Sequence, residues 1–589
     1  MENRRQGWLT TDRPWYALGA LALLVLAWTC RRAPFGVPAA DDYDYLYWLR
    51  FHRFDVFDSM GSNFYWRPLG RQLYYAALQP FFFTAPWMVA LAHALLLFAT
   101  FAVVFRIARR AWPASVAAAI AVFPLLAEPT RTLLVWPTGG EYLMAMLASA
   151  LAVHEALAKR WWTAGLFALA ALLCHEASAL VLPAILVIAW RRRAVIPGVV
   201  TAALVALVWY AGHLVAQSHG AGWLDRGAPG GSAPLRWLEA TFRVVMSQLN
   251  LEELGGSHVV IALGYAAVLF VALAILARDR PPGAKTAATA IAAGVAWLAV
   301  GALPLAFLAQ WNAWRSAFPA LWLGFLVIGL PGIARPWLAY ATLGLRTLAL
   351  VLAPTAAALV TLEPPPSFSG MSFVRVARLQ RTAERTRVAL LAHDRTLPKG
   401  ATISYWSRLA VTEIALVPPK APRVWYGDST ITWQWLWRPG GLDQRNDVVL
   451  SFDPEVPRPA VVIEPTTLER ARAAIAATER GEARAADSLL VAALEAQSPH
   501  PSGQLTLWVV RNRARIAYQA GAFDQAERMN QVSFEMVGPT PEYFGLASLL
   551  ALRKGQFAVA RELAHKALLL EAGNPLALRA QAEIGDSTR

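Results

Sequence analysis

Two adjacent carboxylates, Asp41 and Asp42, follow the first apolar segment of the chain. Neighbouring carboxylates near a bilayer surface raise one another's pKa, so that one of them can act as a general base. The alternative is that the pair only begins a helix or a solvated loop. The same polar stretch continues to Arg67, in the sequence Trp-Arg-Pro-Leu at 66–69. This stretch is therefore a candidate for acid–base chemistry at a membrane surface.

Further ionisable residues interrupt apolar sequence at Glu128, at the pair His175 and Glu176, and at Arg315. Such groups are costly at membrane depth and indicate a functional site by default. Each also has a structural alternative. Glu128 then only ends a helix, the His-Glu pair only hydrates a tight turn, and Arg315 only extends to the interface among tryptophans. On one membrane face they would combine a base, acidic and imidazole partners and a cationic phosphate binder.

Apolar segments must position these groups. Hydrophobic residues make up 57% of the 589 residues, charged residues 16%, and the mean hydropathy is +0.39, which excludes a soluble globular or a disordered chain. Both cysteines fall in apolar segments, so neither a disulfide framework nor a cysteine zinc site is expected. The sequence predicts a polytopic α-helical membrane protein with eleven transmembrane helices, near 15–30, 87–105, 112–127, 140–157, 162–174, 178–190, 195–216, 258–277, 286–309, 317–333 and 337–361.

Positive charge is concentrated at the edges of these segments. The net charge of +15 alone would suit nucleic acid, but basic residues cluster at 106–110, 191–193 and 278–280, which is the pattern that sets membrane orientation. We therefore expect no nucleic-acid partner. The N-terminus is predicted to be cytoplasmic, and the loops 31–86 and 217–257 and all residues after 361 to lie outside. The first segment also fits a cleavable signal peptide, in which case residue 41 onward still faces outward.

The C-terminal part has the composition of a soluble region. A helix is predicted over 373–393, followed by β-rich runs at Ala401–Trp406, Arg423–Tyr426 and Val448–Phe452. From about 467 the pattern is helical, and a Gly-x-Phe motif at Gly521 recurs 34 residues later at Gly555, which is the tetratricopeptide period. A weaker copy begins at Gly481. The predicted domains are a membrane domain over 1–362, a small extracytoplasmic α/β module over 363–465, and tetratricopeptide repeats over 466–589.

The order of these motifs resembles the GT-C superfamily of membrane glycosyltransferases, and within it the protein O-mannosyltransferase-like branch with lumenal tetratricopeptide repeats. The resemblance rests on the Asp-Asp pair, Arg-Pro-Leu at 67–69, Pro124 with Glu128 and Trp136, His-Glu-x-x-Ala-Leu-Val-Leu-Pro at 175–183, and Trp-Arg at 314–315 with Pro319. The sequence departs from that branch where His175 replaces a usual lysine, where no histidine precedes Pro124, and where Trp-Arg-Ser at 314–316 replaces a Glu-Arg-Tyr-like element.

This resemblance implies transfer of a sugar, most simply a mannose-like hexose, from a polyprenyl-phosphate donor to an extracytoplasmic protein or glycan hydroxyl. Asp41 would be the base of an inverting reaction and Asp42 would orient a substrate. Arg315, with Arg67, would neutralise the departing phosphate. Glu128, His175 and Glu176 would complete the pocket, with no dedicated metal site. The expected location is a bacterial plasma membrane, with a protein partner bound by the repeats.

A non-catalytic scaffold, or a transporter of envelope lipids, is the alternative, because repeat arrays are usually binding surfaces. A transporter would place charges near the bilayer midplane between paired, broken helices. The ionisable residues here are predicted at one face, which favours an interfacial enzyme.

Overall fold

A computed structural model of the protein describes residues 12–60, 65–219, 232–252, 257–279, 284–308, 311–354, 371–406, 409–437, 445–453, 460–497 and 502–587. The described chain is mostly helical and contains one small sheet. It divides into two compact units. The first comprises Met1–Glu384 and Ile414–Gly427, and the second comprises Arg385–Glu413 and Asp428–Arg589. Of the predicted domain boundaries, 362/363 lies outside the described residues, and 465/466 falls at the start of a helix.

Among the described residues of the first unit, four helical segments are long and apolar enough to cross a membrane, and the chain is accordingly a helical membrane protein. They are Trp87–Ala108, Val195–Ser218, His258–Arg278 and Ala284–Phe307, the last consisting of an α-helix to Ala302 and a 3₁₀ turn. The unit's other helices of eight or more residues are Arg13–Thr29, Asp42–Phe51, Ala114–Val122, Glu128–Val135, Gly139–Leu157, Trp161–Cys174, Val181–Arg191, Ala233–Gln248, Pro336–Leu352 and Phe373–His393, which continues into the second unit.

Two of the predicted transmembrane segments are not continuous long helices. The segment predicted at 112–127 forms a helix only over Ala114–Val122, and the one at 317–333 is broken into Gly324–Val327 and Gly329–Ala334. The two segments pack closely in the core. A Cβ atom on Gly324 would lie 2.9 Å from the Cβ of Phe123, and the indole of Trp112 donates to the carbonyl of Gly329 at 3.0 Å. Both short segments are therefore packed against one another within the core of the first unit.

The second unit contains a four-stranded sheet in the order β2-β1-β3-β4. The strands are β1 (Thr402–Tyr405), β2 (Thr432–Trp435), β3 (Val448–Phe452) and β4 (Ala460–Ile463), and only β4 is antiparallel to its neighbour. The predicted helix over 373–393 and the predicted strands at 401–406 and 448–452 are confirmed. The prediction of a strand at Arg423–Tyr426 is wrong, because these residues end the helix Lys420–Tyr426. That helix begins after Pro419 and is ended by Gly427 at φ +69°.

Seven consecutive helices follow the sheet, each packed on the next. They are Pro465–Glu479, Ala483–Ala496, Gly503–Gln519, Phe523–Val537, Pro541–Arg553, Phe557–Leu570 and Pro575–Ser587. The sequence motif noted at Gly481, Gly521 and Gly555 corresponds to one recurring turn, in which each glycine has φ between +71° and +78°. These positions favour glycine because other residues are strained there.

Candidate functional site

Asp42 is completely buried at the start of the helix Asp42–Phe51 and is held by four donors. One carboxylate oxygen accepts from the Ala39 amide at 2.8 Å and the Trp136 indole at 2.9 Å. The other accepts from the hydroxyl groups of Tyr75 at 2.5 Å and Thr138 at 2.7 Å. Burial raises the pKa of Asp42 to about 7. The hydrogen bonds from Ala39, Tyr75 and Thr138 favour the ionised carboxylate and only partly offset this rise. Asp42 therefore positions protein groups and has no surface with which to touch a substrate.

Asp41, in contrast, is exposed. Protein surrounds it on several sides, and the resulting partial loss of hydration raises the pKa of its carboxyl group. The negative charge of Asp44 raises this pKa further, whereas Arg71 and Arg315 oppose the rise. Asp41 is thus the member of the pair that can meet a solvent-borne molecule and accept a proton from it.

A buried ion-pair network lies beside the acid pair. The Arg67 guanidinium donates to Glu141 at 2.6 Å and, through two nitrogens, to Glu176 at 2.7 and 2.5 Å. Burial opposes ionisation of Glu176, but Arg67 outweighs it and holds the pKa of Glu176 well below its usual range. The charge of Arg67 is therefore balanced by protein carboxylates, which argues against its predicted role as a phosphate binder.

A short π-helix, Leu69–Leu73, brings a second arginine into this network. It approaches the helix Gly139–Leu157 so closely that a Cβ atom on Gly70 would lie 2.9 Å from the Cβ of Glu141. Arg71 is buried and reaches Glu141 at 3.4 Å. Its Nη1 atom is also buried and has no hydrogen-bond partner among the described residues. The sequence offered one signal for Arg71, its position four residues after Arg67.

Arg315 is half-buried and follows Trp314, over whose ring its guanidinium lies at 5.2 Å. Trp314 packs edge-on against Trp136 and Tyr142, with ring centroids 5.7 and 4.8 Å away. The Arg315 amide donates to the Asn312 carbonyl at 3.0 Å, whereas its guanidinium makes no ion pair or hydrogen bond with another described residue. Its positive charge lies close enough to Asp41 to favour the ionised carboxylate. The predicted base and the predicted phosphate-binding arginine are therefore brought together.

His175 lies beside this group as a neutral side chain. Its Nδ1 atom accepts the Ala177 amide at 3.1 Å, and its ring packs on Tyr142 with centroids 4.2 Å apart. Burial, together with the charge of Arg67, lowers the pKa of His175 to about 4. The imidazole is thus an uncharged acceptor at neutral pH and caps the 3₁₀ turn that carries Glu176.

Glu128 is placed elsewhere. It is buried at the start of the helix Glu128–Val135, where its backbone amide donates to the side-chain oxygen of Asn250 at 2.7 Å. Its carboxylate lies close enough to the Cys30 thiol for the two to interact electrostatically. Cys30 ends the first helix and lies eleven residues before Asp41 in the chain. The structure therefore brings together Asp41, Asp42, Arg67, His175, Glu176 and Arg315, but gives Glu128 its own surroundings.

One segment from far along the chain completes the surroundings of the acid pair. The amide of Ala40, which has φ +56°, donates to the Ala415 carbonyl at 3.0 Å. The helix Lys420–Tyr426 packs on the helix Asp42–Phe51 through an ion pair between Lys420 and Asp44. Trp425 meets Tyr43 edge-on, with ring centroids 5.7 Å apart. The sequence predicts a strand at Arg423–Tyr426 in a separate module, so this docking is not expected from it.

The described residues contain no group of three or more His, Cys, Asp or Glu side chains arranged to hold a metal ion. Comparison of the chain with protein-family models, with curated proteins and with solved structures gives no match.

Proposed function

We propose that this protein is a membrane glycosyltransferase that moves a hexose, mannose-like by the resemblance, from a polyprenyl-phosphate donor to an acceptor hydroxyl with inversion. The observation that carries the proposal is the exposed Asp41 carboxylate beside the immobilised Asp42 and near Arg315. Asp41 accepts the proton of the acceptor hydroxyl as its oxygen attacks the anomeric carbon and the bond from that carbon to the phosphate oxygen breaks.

Arg315 supplies the charge that the leaving group needs. As the sugar departs, the phosphate gains negative charge, and a guanidinium without a protein carboxylate partner stabilises that charge most in the transition state. Arg67 has two carboxylate partners and serves instead to fix Glu141 and Glu176. Arg71 is buried and pairs with Glu141, so it supports the same network and leaves Arg315 as the cation that can meet the leaving group.

The finer organisation belongs to the same proposal. Eleven crossings of a bacterial plasma membrane place the acid pair and all residues after 361 on the outer side, in agreement with the distribution of basic residues. The seven C-terminal helices then form a tetratricopeptide array outside the membrane, which presents a protein acceptor or a partner enzyme.

A donor screen tests the function directly. Purified protein is incubated with a panel of polyprenyl-phosphate sugars and an acceptor mixture, and released lipid phosphate is measured. The proposal expects release from at least one hexose donor. No release from any donor, with folded protein, would favour the non-catalytic scaffold or lipid transporter.

Replacing Arg315 by glutamine should lower kcat for the responsive donor by about 10- to 100-fold. The expected loss is smaller than for a fully buried oxyanion donor because Arg315 is partly exposed to water. The matched control is Arg53→Gln, which removes one exposed charge from the first loop. Equal kcat values for the two variants would remove Arg315 from the reaction.

Two substitutions at the ion pair between Lys420 and Asp44 should shift the pH dependence in opposite directions. Asp41 acts as the carboxylate, so activity falls as the pH drops through its pKa. Asp44 raises that pKa, so Asp44→Asn should move the acidic limb of kcat/KM to lower pH. Lys420→Met leaves the Asp44 charge uncompensated and should move the limb to higher pH, with little change on the plateau. A shift of both variants in the same direction would contradict Asp41 as the titrating base.

A further inference from the structure

A dense basic surface lies at one end of the helix bundle in the first unit. Eight basic residues are exposed there, at the ends of three neighbouring helices and the turns that follow them. They are Arg106, Arg109, Arg110, Lys159, Arg160, Arg191, Arg192 and Arg193.

The packing of the helices brings three of these side chains together. The helix Gly139–Leu157 packs against both Trp87–Ala108 and Val181–Arg191. Arg110 donates to the Leu157 carbonyl at 3.2 Å, which places it beside the turn that carries Arg160. The positive charges of Arg192 and Arg160 lie close enough to Arg110 to lower its pKa, in addition to the effect of its partial burial.

The acidic group nearest to this centre is already engaged. Glu155 pairs with Arg160 at 2.6 Å and with His154 at 2.9 Å. Among the described residues, Glu155 is the carboxylate that acts on Arg110, and the repulsion among the arginines is left for an external anion to relieve.

Several observations place this surface at a membrane boundary. The membrane-spanning helix Trp87–Ala108 ends at it, and Val195–Ser218 begins at it. Arg191 contacts Thr289, near the start of a third spanning segment, at 3.4 Å. Trp162 and Trp190 beside it are 79% and 70% exposed. Exposed tryptophans at helix ends are typical of the interface between lipid and water.

We propose that the surface centred on Arg110, Arg160 and Arg192 binds the headgroup of an anionic phospholipid. Guanidinium groups hold the phosphate diester through paired hydrogen bonds, and the positive charge of the surrounding arginines strengthens the attraction for its negative charge. The acyl chains lie along exposed apolar side chains one to two turns away, among them Leu166 and Val187. The occupant is a lipid and not a free phosphate, because the tryptophans and these apolar side chains are contiguous with the arginines. This site is independent of the proposed glycosyltransferase activity.

Native mass spectrometry of the full-length protein in neutral detergent tests the site. Titration with phosphatidylglycerol should give a bound lipid with at least about tenfold higher affinity than phosphatidylcholine of the same chain length. In the triple variant Arg110→Gln, Arg160→Gln, Arg192→Gln, the ratio of the affinities for phosphatidylglycerol and phosphatidylcholine should fall by about tenfold. The charge-matched control is Arg515→Gln, Arg528→Gln, Arg561→Gln, which removes three exposed arginines from the second unit and should keep it.

Melting temperature gives a second readout that does not depend on affinity in the gas phase. Phosphatidylglycerol should raise the melting temperature of the wild type and of the control, but not of the triple variant. Inorganic phosphate at millimolar concentration should not reproduce the effect. The proposal is overturned if phosphatidylcholine or inorganic phosphate stabilises as well as phosphatidylglycerol, or if the triple variant retains the full lipid preference.

Discussion

Turnover should fall by about 10²- to 10⁴-fold when Asp41 is replaced by asparagine, because the amide keeps the size of the side chain and loses its basicity. The melting temperature should barely change, since Asp41 is exposed and its carboxylate is not one of the buried anchors of the fold. The measurement is the single-turnover rate of sugar transfer from the donor identified by the screen, at saturating acceptor.

The control for this variant is Asp55→Asn, a change of the same kind in the same polar stretch. The asparagine oxygen can still accept the Phe57 amide, which donates to Asp55 at 2.9 Å. Near wild-type turnover in Asp41→Asn would exclude Asp41 as the base. Asp42 could not simply replace it, since all of its carboxylate is enclosed by four donors.

Replacing Arg67 by methionine should destabilise the protein by about 3–5 kcal/mol, because it leaves Glu141 and Glu176 without the charge that both carboxylates share. Glu141 suffers most, since it is almost completely buried and its remaining partner, Arg71, is 3.4 Å away. Thermal unfolding in a mild detergent should show a clear drop in melting temperature, and expression should fall.

A double variant separates loss of the ion pair from loss of packing. Arg67→Met with Glu176→Gln removes one positive and one negative charge. Glu176 then no longer carries an unpaired charge, and Glu141 is still paired with Arg71. This double variant should have a higher melting temperature than Arg67→Met alone. If both variants melt at the temperature of the wild type, the network does not hold the loop and the helix Gly139–Leu157 together.

The sequence singled out most residues of this group, but not the contacts that each of them makes. Asp41 was found as one of two adjacent carboxylates after the first apolar segment, and Arg315 as a charge within apolar sequence; the structure places both in the same group. Burial separates the two aspartates: Asp42 accepts four hydrogen bonds from residues as distant as Thr138, and a local pattern cannot report such partners. Glu128 has the same sequence signature as the others, yet it lies beside Cys30 and Asn250, because its helix starts against a different neighbour.

Most of the predicted helices are present in the structure. The number of times that the chain crosses the membrane, however, does not follow from hydropathy alone. Four segments have the length and apolar character of a span by themselves. At Ala114–Val122 and Gly324–Ala334, apolar sequence reflects burial against other helices as much as contact with lipid. The helix Lys420–Tyr426 was mistaken for a strand because Val-Trp-Tyr favours a strand locally, while a proline before it and a tertiary contact with Tyr43 decide otherwise.

The docking of 414–427 onto the first loop bears on the order in which the protein is made. The acid pair is synthesised within the first tenth of the chain, but the carbonyl that holds Ala40 and the tryptophan that meets Tyr43 emerge from the ribosome more than 370 residues later. Until then the loop lacks these contacts, and the nascent chain carries the two carboxylates without their final support. The loop around the acid pair therefore reaches its final packing only after synthesis has passed Gly427.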